Sequence, residues 1–227
     1  MVANEAVEIT CAGRTDTGVH ACGQVVHFDT GSERSNRGWL LGANSNLPDD
    51  INVTWAQRVD DAFHARFSAS TRSYSYLILN RLERSALFRN RAWWVYQSLD
   101  SAAMHDAAQH LLGRHDFSAF RAAGCQASTP LREITAIAVR RDDDWITLTV
   151  TANAFLQHMV RNIAGSLVAV GLGEQDADWI REVLEQGDRK AGGIAAPPHG
   201  LTLVRVDYPP EFGIPEPVHY GSAVAGC

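Results

Sequence analysis

Residues 11–28 decide how this chain is read: Cys11-Ala-Gly-Arg-Thr-Asp16-Thr-Gly-Val-His-Ala-Cys-Gly-Gln-Val-Val-His-Phe28. One carboxylate, Asp16, stands between Gly13 and Gly18, with Arg14 two residues before it and the extended apolar run Gln24 to Phe28 after it. The pattern predicts a strand, a tight loop and a second strand, because glycine tolerates positive φ and lets a ligand approach the backbone. A short side chain on such a loop is displayed rather than packed. Arg14 is expected to favour the charged form of Asp16, as an opposite charge nearby does. A displayed, ionised carboxylate serves as a nucleophile, a base or a metal ligand. An aspartate in a Gly-rich turn also serves as a plain turn former that bonds its own backbone. Spacing alone leaves these roles open.

Outward from that stretch, the totals set bounds. A chain of 227 residues holds one large domain or two small ones and buries roughly 70–75% of its unfolded surface. With 45% hydrophobic and 20% charged residues, it has the composition of an ordinary globular protein. No apolar run approaches the roughly 18–20 residues of a membrane span. The start, Met1-Val-Ala-Asn-Glu5, lacks the charged beginning and apolar centre of a signal peptide, so a cytoplasmic location without membrane contact is expected. Cys11, Cys22, Cys125 and Cys227 form no C-x-x-C pair, which indicates neither a zinc site nor a disulfide framework. The net charge of −6 counts against a nucleic-acid partner, which usually meets a basic surface. Yet nineteen of the twenty basic residues are Arg, the side chain suited to bidentate phosphate contacts and to stacking on bases. An RNA-binding face must then be an arginine cluster on an acidic body; a genome bias toward Arg gives the same composition.

Strands are expected at residues 7–12 and 24–29, and a short helix at 34–43. Residues 51–59 alternate with period two and predict a half-buried strand. Residues 72–79 predict a strand from their aromatic and β-branched content, with Tyr74 and Tyr76 on one face. Residues 80–98, carrying Arg81, Arg84, Arg89 and Arg91, connect two halves. A helix capped by Asp100 or Ser101 and ended by Gly113 presents Met104, Ala107, Ala108, Leu111 and Leu112 as one stripe. His105, His110 and His115 are five apart and do not share a helix face, so no metal site is indicated. Arg132–Arg141 and Trp145–Asn153 form a strand pair. A long apolar helix over 154–170, capped by Asn153, follows. Arg161 is its one strongly charged residue. It either snorkels to the surface or pairs with a carboxylate, since an unpaired buried charge is costly. A helix over 178–186 stopped by Gly187, a strand over 201–208 and a tail at 209–227 complete the chain. The class is α+β with a mostly antiparallel sheet.

Two long phrases carry a resemblance. Cys11 to Ala21, and Asn153-Ala-Phe-Leu-Gln-His-Met-Val-Arg161-Asn-Ile-Ala-Gly-Ser-Leu167, resemble the signatures of the tRNA pseudouridine synthase A family. His64-Ala-Arg-Phe-Ser-Ala69, Arg72-Ser-Tyr74-Ser-Tyr76 and the loop His115–Arg121 resemble it too, so the likeness covers residues 7–208. It implies the pseudouridine synthase fold: two similar α/β halves (residues 1–90 and 91–208, then the tail) whose sheets join across a central cleft, in a homodimer. It implies isomerisation of uridine to pseudouridine at positions 38, 39 and 40 of the tRNA anticodon stem-loop, with no cofactor and no metal. By the resemblance Asp16 is the catalytic nucleophile and Arg161 pairs with it. Tyr74 lies against the uracil, and Arg14 binds the backbone of the displaced nucleotide or helps move the base. Attack on the uracil ring, attack on the ribose and assisted elimination stay open. The alternatives are a catalytically weak RNA-binding module of the same fold and a hydrolase using Asp16 as a metal-assisted base. The second needs further ligands, and only His20 is close in sequence. Family members carry an additional N-terminal strand and helix before the signature loop. Relative to them the chain is N-terminally truncated, Met1 being either a mis-assigned start or the beginning of a shortened product. An unpaired edge and uncovered apolar surface are the expected consequences.

Overall fold

The computed structural model describes residues 2–217. In chain order it contains β1 (Thr10–Cys11), β2 (His20–Ala21), β3 (Val26–His27), α1 (Asn36–Asn44), β4 (Thr71–Asn80), β5 (Trp93–Val95), α2 (Ser101–Gln109), β6 (Gly113–Asp116), β7 (Leu131–Asp142), β8 (Trp145–Ala152), α3 (Met159–Gly171), α4 (Trp179–Gln186) and β9 (Leu201–Asp207). Seven strands form one sheet in the order β2-β9-β4-β8-β7-β6, with β5 also pairing β4. Only β2–β9 and β4–β5 are parallel; the other ladders are antiparallel. β1 and β3 form a separate two-stranded antiparallel sheet.

The strand sequences set the layers. In β8, Ile146, Leu148, Val150 and Ala152 are buried and alternate with Trp145 and three threonines, as the period of two requires. With Tyr76 and Ile78 of β4 and Ile134, Ile137 and Val139 of β7, they meet α2, α3 and α4 in the main core. Helix α3 is apolar nearly all round and is accordingly buried. A smaller core gathers Ala12, Val25, Phe63, Ala65, Leu203 and Val206, with Trp55, Tyr208 and Phe212 against it. Tyr74 packs against both cores and so marks the seam between them. In the N-terminal region the apolar side chains Ile9, Val26, Leu41 and Ile51 are exposed.

Several sequence expectations are corrected. Residues 51–59 form no strand. Their alternation does place Trp55 and Val59 against the smaller core, but no neighbouring strand supplies a ladder. The Asn44 side chain takes that place at one residue, donating to the Val53 carbonyl (2.8 Å) and accepting from its N–H (2.7 Å). The long helix begins at Met159 rather than at 154. Asn153 is not its cap: its side-chain oxygen accepts from the N–H groups of Glu133 and Ala154, tying off the end of β8. The connection over 80–98 contains β5. Helix α2 is capped by Asp100 and ends at Gln109, before Gly113. The start of the tail is packed, with the Phe212 ring 5.2 Å from that of Phe63; residues 218–227 lie outside the described residues. No helix among the described residues is long and apolar enough to cross a membrane.

Candidate active site

The signature loop joins β1 to β2. Asp16 to Val19 is a turn closed by the Val19 N–H on the Asp16 carbonyl at 3.0 Å. Gly18 has φ +83°, the conformation that the third residue of a type II turn requires. Gly13 serves otherwise. The Gln24 side-chain amide donates to its carbonyl (2.7 Å) and accepts from its N–H (3.4 Å), and a Cβ there would lie 3.8 Å from the Tyr74 hydroxyl. Beyond the loop, Cys22 and Gly23 donate to the Leu203 carbonyl, which fastens β2 to β9.

Opposite the loop stands the first turn of α3. Arg161 Nη1 lies 3.8 Å from Asp16 Oδ2, and the two side chains are 14% and 35% exposed. Arg161 Nε donates to the Ala196 carbonyl at 2.8 Å, and the Ala196 N–H donates back to the Arg161 carbonyl at 3.0 Å. This reciprocal pair needs the backbone over 193–196 to press on α3. A Cβ on Gly165, one turn beyond Arg161, would sit 1.7 Å from the Ile194 carbonyl oxygen. His158 Nε2 reaches the same Asp16 oxygen at 3.2 Å. Its ring is aimed by a left-handed backbone, φ 62°, in a turn closed by the Met159 N–H on the Leu156 carbonyl.

Tyr74 completes the group from β4, edge-on to Phe155 with ring centroids 5.0 Å apart. Burial raises its phenol to about 12, against the smaller lowering effect of Arg72. At neutral pH it is therefore a ring and a hydrogen-bond donor, and not a base. Arg14 is exposed and forms no ion pair with Asp16 among the described residues. The side chains that meet the carboxylate, Arg161 and His158, come from α3 and the turn before it. Among the described residues no three His, Cys, Asp or Glu side chains gather as a metal site.

The sequence profile described as tRNA pseudouridine synthase matches residues 2–68 and 107–209. The chain belongs to the tRNA pseudouridine synthase family. A protein named tRNA pseudouridine synthase A from Coxiella burnetii (strain Dugway 5J108-111) is 52% identical over 214 residues, covering 94% of this chain and 82% of the relative. Namesakes from Pseudoalteromonas atlantica and Aeromonas hydrophila are each 53% identical over 215 residues, covering 95% of this chain and 82% and 80% of the relatives. Asp16, His158 and Arg161 fall inside the segments matched by the synthase profile; Tyr74 falls between them.

Sequence reasoning about this synthase-family chain missed three residues. Gln24 reads as part of a strand, yet its amide brackets Gly13. Arg72 reads as a strand cation, yet its guanidinium donates to the carbonyls of Ala12, Arg66, Ala69 and Asn153. His158 reads as helix interior. The one available signal is that histidine is enriched among residues with positive φ.

Proposed function

We propose that the chain isomerises uridine to pseudouridine in tRNA, at positions 38, 39 and 40 of the anticodon stem-loop. It works as a cytoplasmic homodimer without metal or organic cofactor. The observation that carries this reading is the meeting of Asp16, Tyr74, His158 and Arg161, from distant parts of the chain, at one seam. Naming of the relatives as synthases, at 52–53% identity over most of the chain, supports it over a binding module without catalysis.

In the reaction the bond from ribose C1′ to uracil N1 breaks, the base turns, and C1′ bonds to C5. C5 loses a proton and N1 gains one. Nothing is oxidised, reduced or added, so no external group is called for. Asp16 acts on the uracil ring or on the ribose, by attack or by assisting elimination. Arg161 and His158 aim its carboxylate, Tyr74 lies against the base, and Arg14 meets the backbone of the displaced nucleotide. Residues 1–90 thus bring the carboxylate and the stacking ring, and residues 91–208 bring the two groups that aim it. Extracting a paired uridine costs a few kcal/mol, and stacking on an aromatic ring returns about 1–3 kcal/mol.

The test is carbodiimide mapping of an unmodified tRNA transcript after incubation with the protein. Pseudouridine is expected at positions 38–40. Asp16→Asn is expected to lower the rate on the order of 10³-fold or more, with gel-shift affinity retained because phosphate contacts dominate binding. A wild-type protein that leaves uridine untouched overturns the reading, and a fully active Asp16→Asn variant removes Asp16 from it.

A further inference from the structure

Phe67 is the one exposed phenylalanine among the described residues, at 75% of its free surface. It is also firmly held. The Ser68 N–H donates to the His64 carbonyl and the His64 N–H donates to Ser68 Oγ, both at 2.9 Å, closing a tight turn. His64 Nδ1 accepts from the N–H groups of Arg66 and Phe67 (3.2 and 3.1 Å), which fixes the imidazole inside that turn. The His64 ring then backs the Phe67 ring at 4.2 Å between centroids and 27° between planes. Behind it stands His27, its ring 4.8 Å from that of His64 and its Nδ1 accepting from the Ala65 N–H. Burial explains none of this order, since the ring at the end of the stack faces water.

Charge and connection narrow what this ring meets. The Arg66 guanidinium lies 5.6 Å from the Phe67 centroid, a placement that serves a flat anionic ligand through stacking and charge together. Arg72 donates to the carbonyls of Arg66 and Ala12. One guanidinium therefore ties the Phe67 turn to the start of the loop that carries Asp16, and the two share one rigid frame. We propose that Phe67 is a stacking platform for a second nucleobase of the RNA substrate, a loop base other than the uracil that reaches Asp16, with Arg66 beside it for the adjoining phosphate. Unpaired loop bases splay out and stack on aromatic side chains in this way. The proposal rests on the tRNA reading above.

The test is steady-state pseudouridine formation on an anticodon stem-loop RNA by the full chain and its Phe67→Ala and Phe67→Trp variants. Phe67→Ala is expected to raise KM about tenfold to a hundredfold, with kcat within about threefold and the melting temperature unchanged; Phe67→Trp restores KM. Substrates made abasic at one loop position at a time supply the second arm. At one position other than the target, the abasic RNA raises KM for the wild type and not for Phe67→Ala. A wild-type KM in Phe67→Ala, or equal sensitivity of both proteins to every abasic position, overturns the proposal. A changed oligomeric state in Phe67→Ala overturns it in favour of a protein interface. A wild type that forms no pseudouridine is the separate failure of the parent reading.

Discussion

Helix α3 buries eleven of its thirteen residues, and helix α1 buries none of its nine. The first lies in the main core, packed against α2 and the sheet. The second is held by the Ser35 cap, whose side chain accepts from the Gly38 N–H, and by the edge of Trp39 on Phe28, with Leu41 facing water. Its neighbours β1 and β3 are two residues long. The signature loop belongs to this thinner region, while His158 and Arg161 belong to the densely packed one. Stability thus resides mainly on one side of the seam, and the carboxylate is presented from the other. Gln24 on Gly13 braces the loop from within, and β2 on β9 and Arg72 on Ala12 tie it to the main sheet.

The sharpest break of that comparison is a pair of truncations. Leu167→Ala, in fully buried surroundings on α3, is expected to cost about 2–5 kcal/mol by chemical denaturation. Leu41→Ala, 54% exposed on α1, is expected to stay within about 0.5 kcal/mol. Similar losses at both positions mean that the two regions are equally packed. Gly165→Ala comes next. The Ile194 carbonyl stands 1.7 Å from where the new methyl must go, so helix and loop separate, and overpacking of this kind costs about 1–3 kcal/mol. The same shift carries Ala196 away from Arg161, so kcat should fall alongside the melting temperature. An active, stable Gly165→Ala variant means that the close approach does not hold Arg161.

His158 and Arg161 test the seam with less damage to the fold. His158→Gly frees a left-handed backbone of its side chain, so stability is expected to hold or rise. The carboxylate loses one of its aiming groups, and kcat is expected to drop on the order of tenfold with KM little changed. An unchanged kcat sinks that role for His158. For Asp16 with Arg161, a double-mutant cycle on melting is expected to give a coupling of about 0.2–1 kcal/mol. The pair is 3.8 Å apart and Asp16 is a third exposed, which is the regime of partly solvated ion pairs. Strict additivity means that the two do not interact across the seam.

The parts legible in the sequence were those written in local chemistry. Asp16, Tyr74 and Arg161 stand out in their phrases; the structure sets Arg161 beside Asp16, with Tyr74 at the same seam. The strand β4 follows from its aromatic and β-branched content, β7 and β8 from the strand pair at 132–141 and 145–153, and α2 from its Asp100 cap. What escaped depends on partners distant in the chain. Residues 51–59 alternate correctly but have no strand to pair with. β5 is three residues long and exists because β4 lies beside it. His158 hides in an apolar run of helical composition, since the turn at 156–159 that aims it is set by tertiary closure. Sequence proximity suggests that Arg14 favours the charged form of Asp16, whereas the turn presents the carboxylate to α3, where Arg161 meets it.

The smallest effect concerns the joint between β2 and the rest of the sheet. His20 on β2 meets the Asn90 carbonyl through its Nε2 at 2.7 Å, and His199 lies just before β9. Burial holds the His199 imidazole below the usual histidine range. A backbone hydrogen bond at Ala92 opposes this, and the neighbouring His20 adds to it. With its folded value depressed, His199 binds its proton less readily in the folded chain than in the unfolded one. Its cost is absent above the unfolded value of about 6.5 and grows as pH falls through that value toward the folded one. The melting temperature of the wild type is therefore expected to decline between about pH 7 and pH 5.5, before most carboxylates titrate, and to decline less in His199→Gln. His20→Gln should flatten the same limb more weakly, because it removes only the lesser cause. Melting curves at half-unit pH steps for the three proteins decide the matter: parallel limbs in wild type and His199→Gln would show that protonation at this joint does not reach the fold.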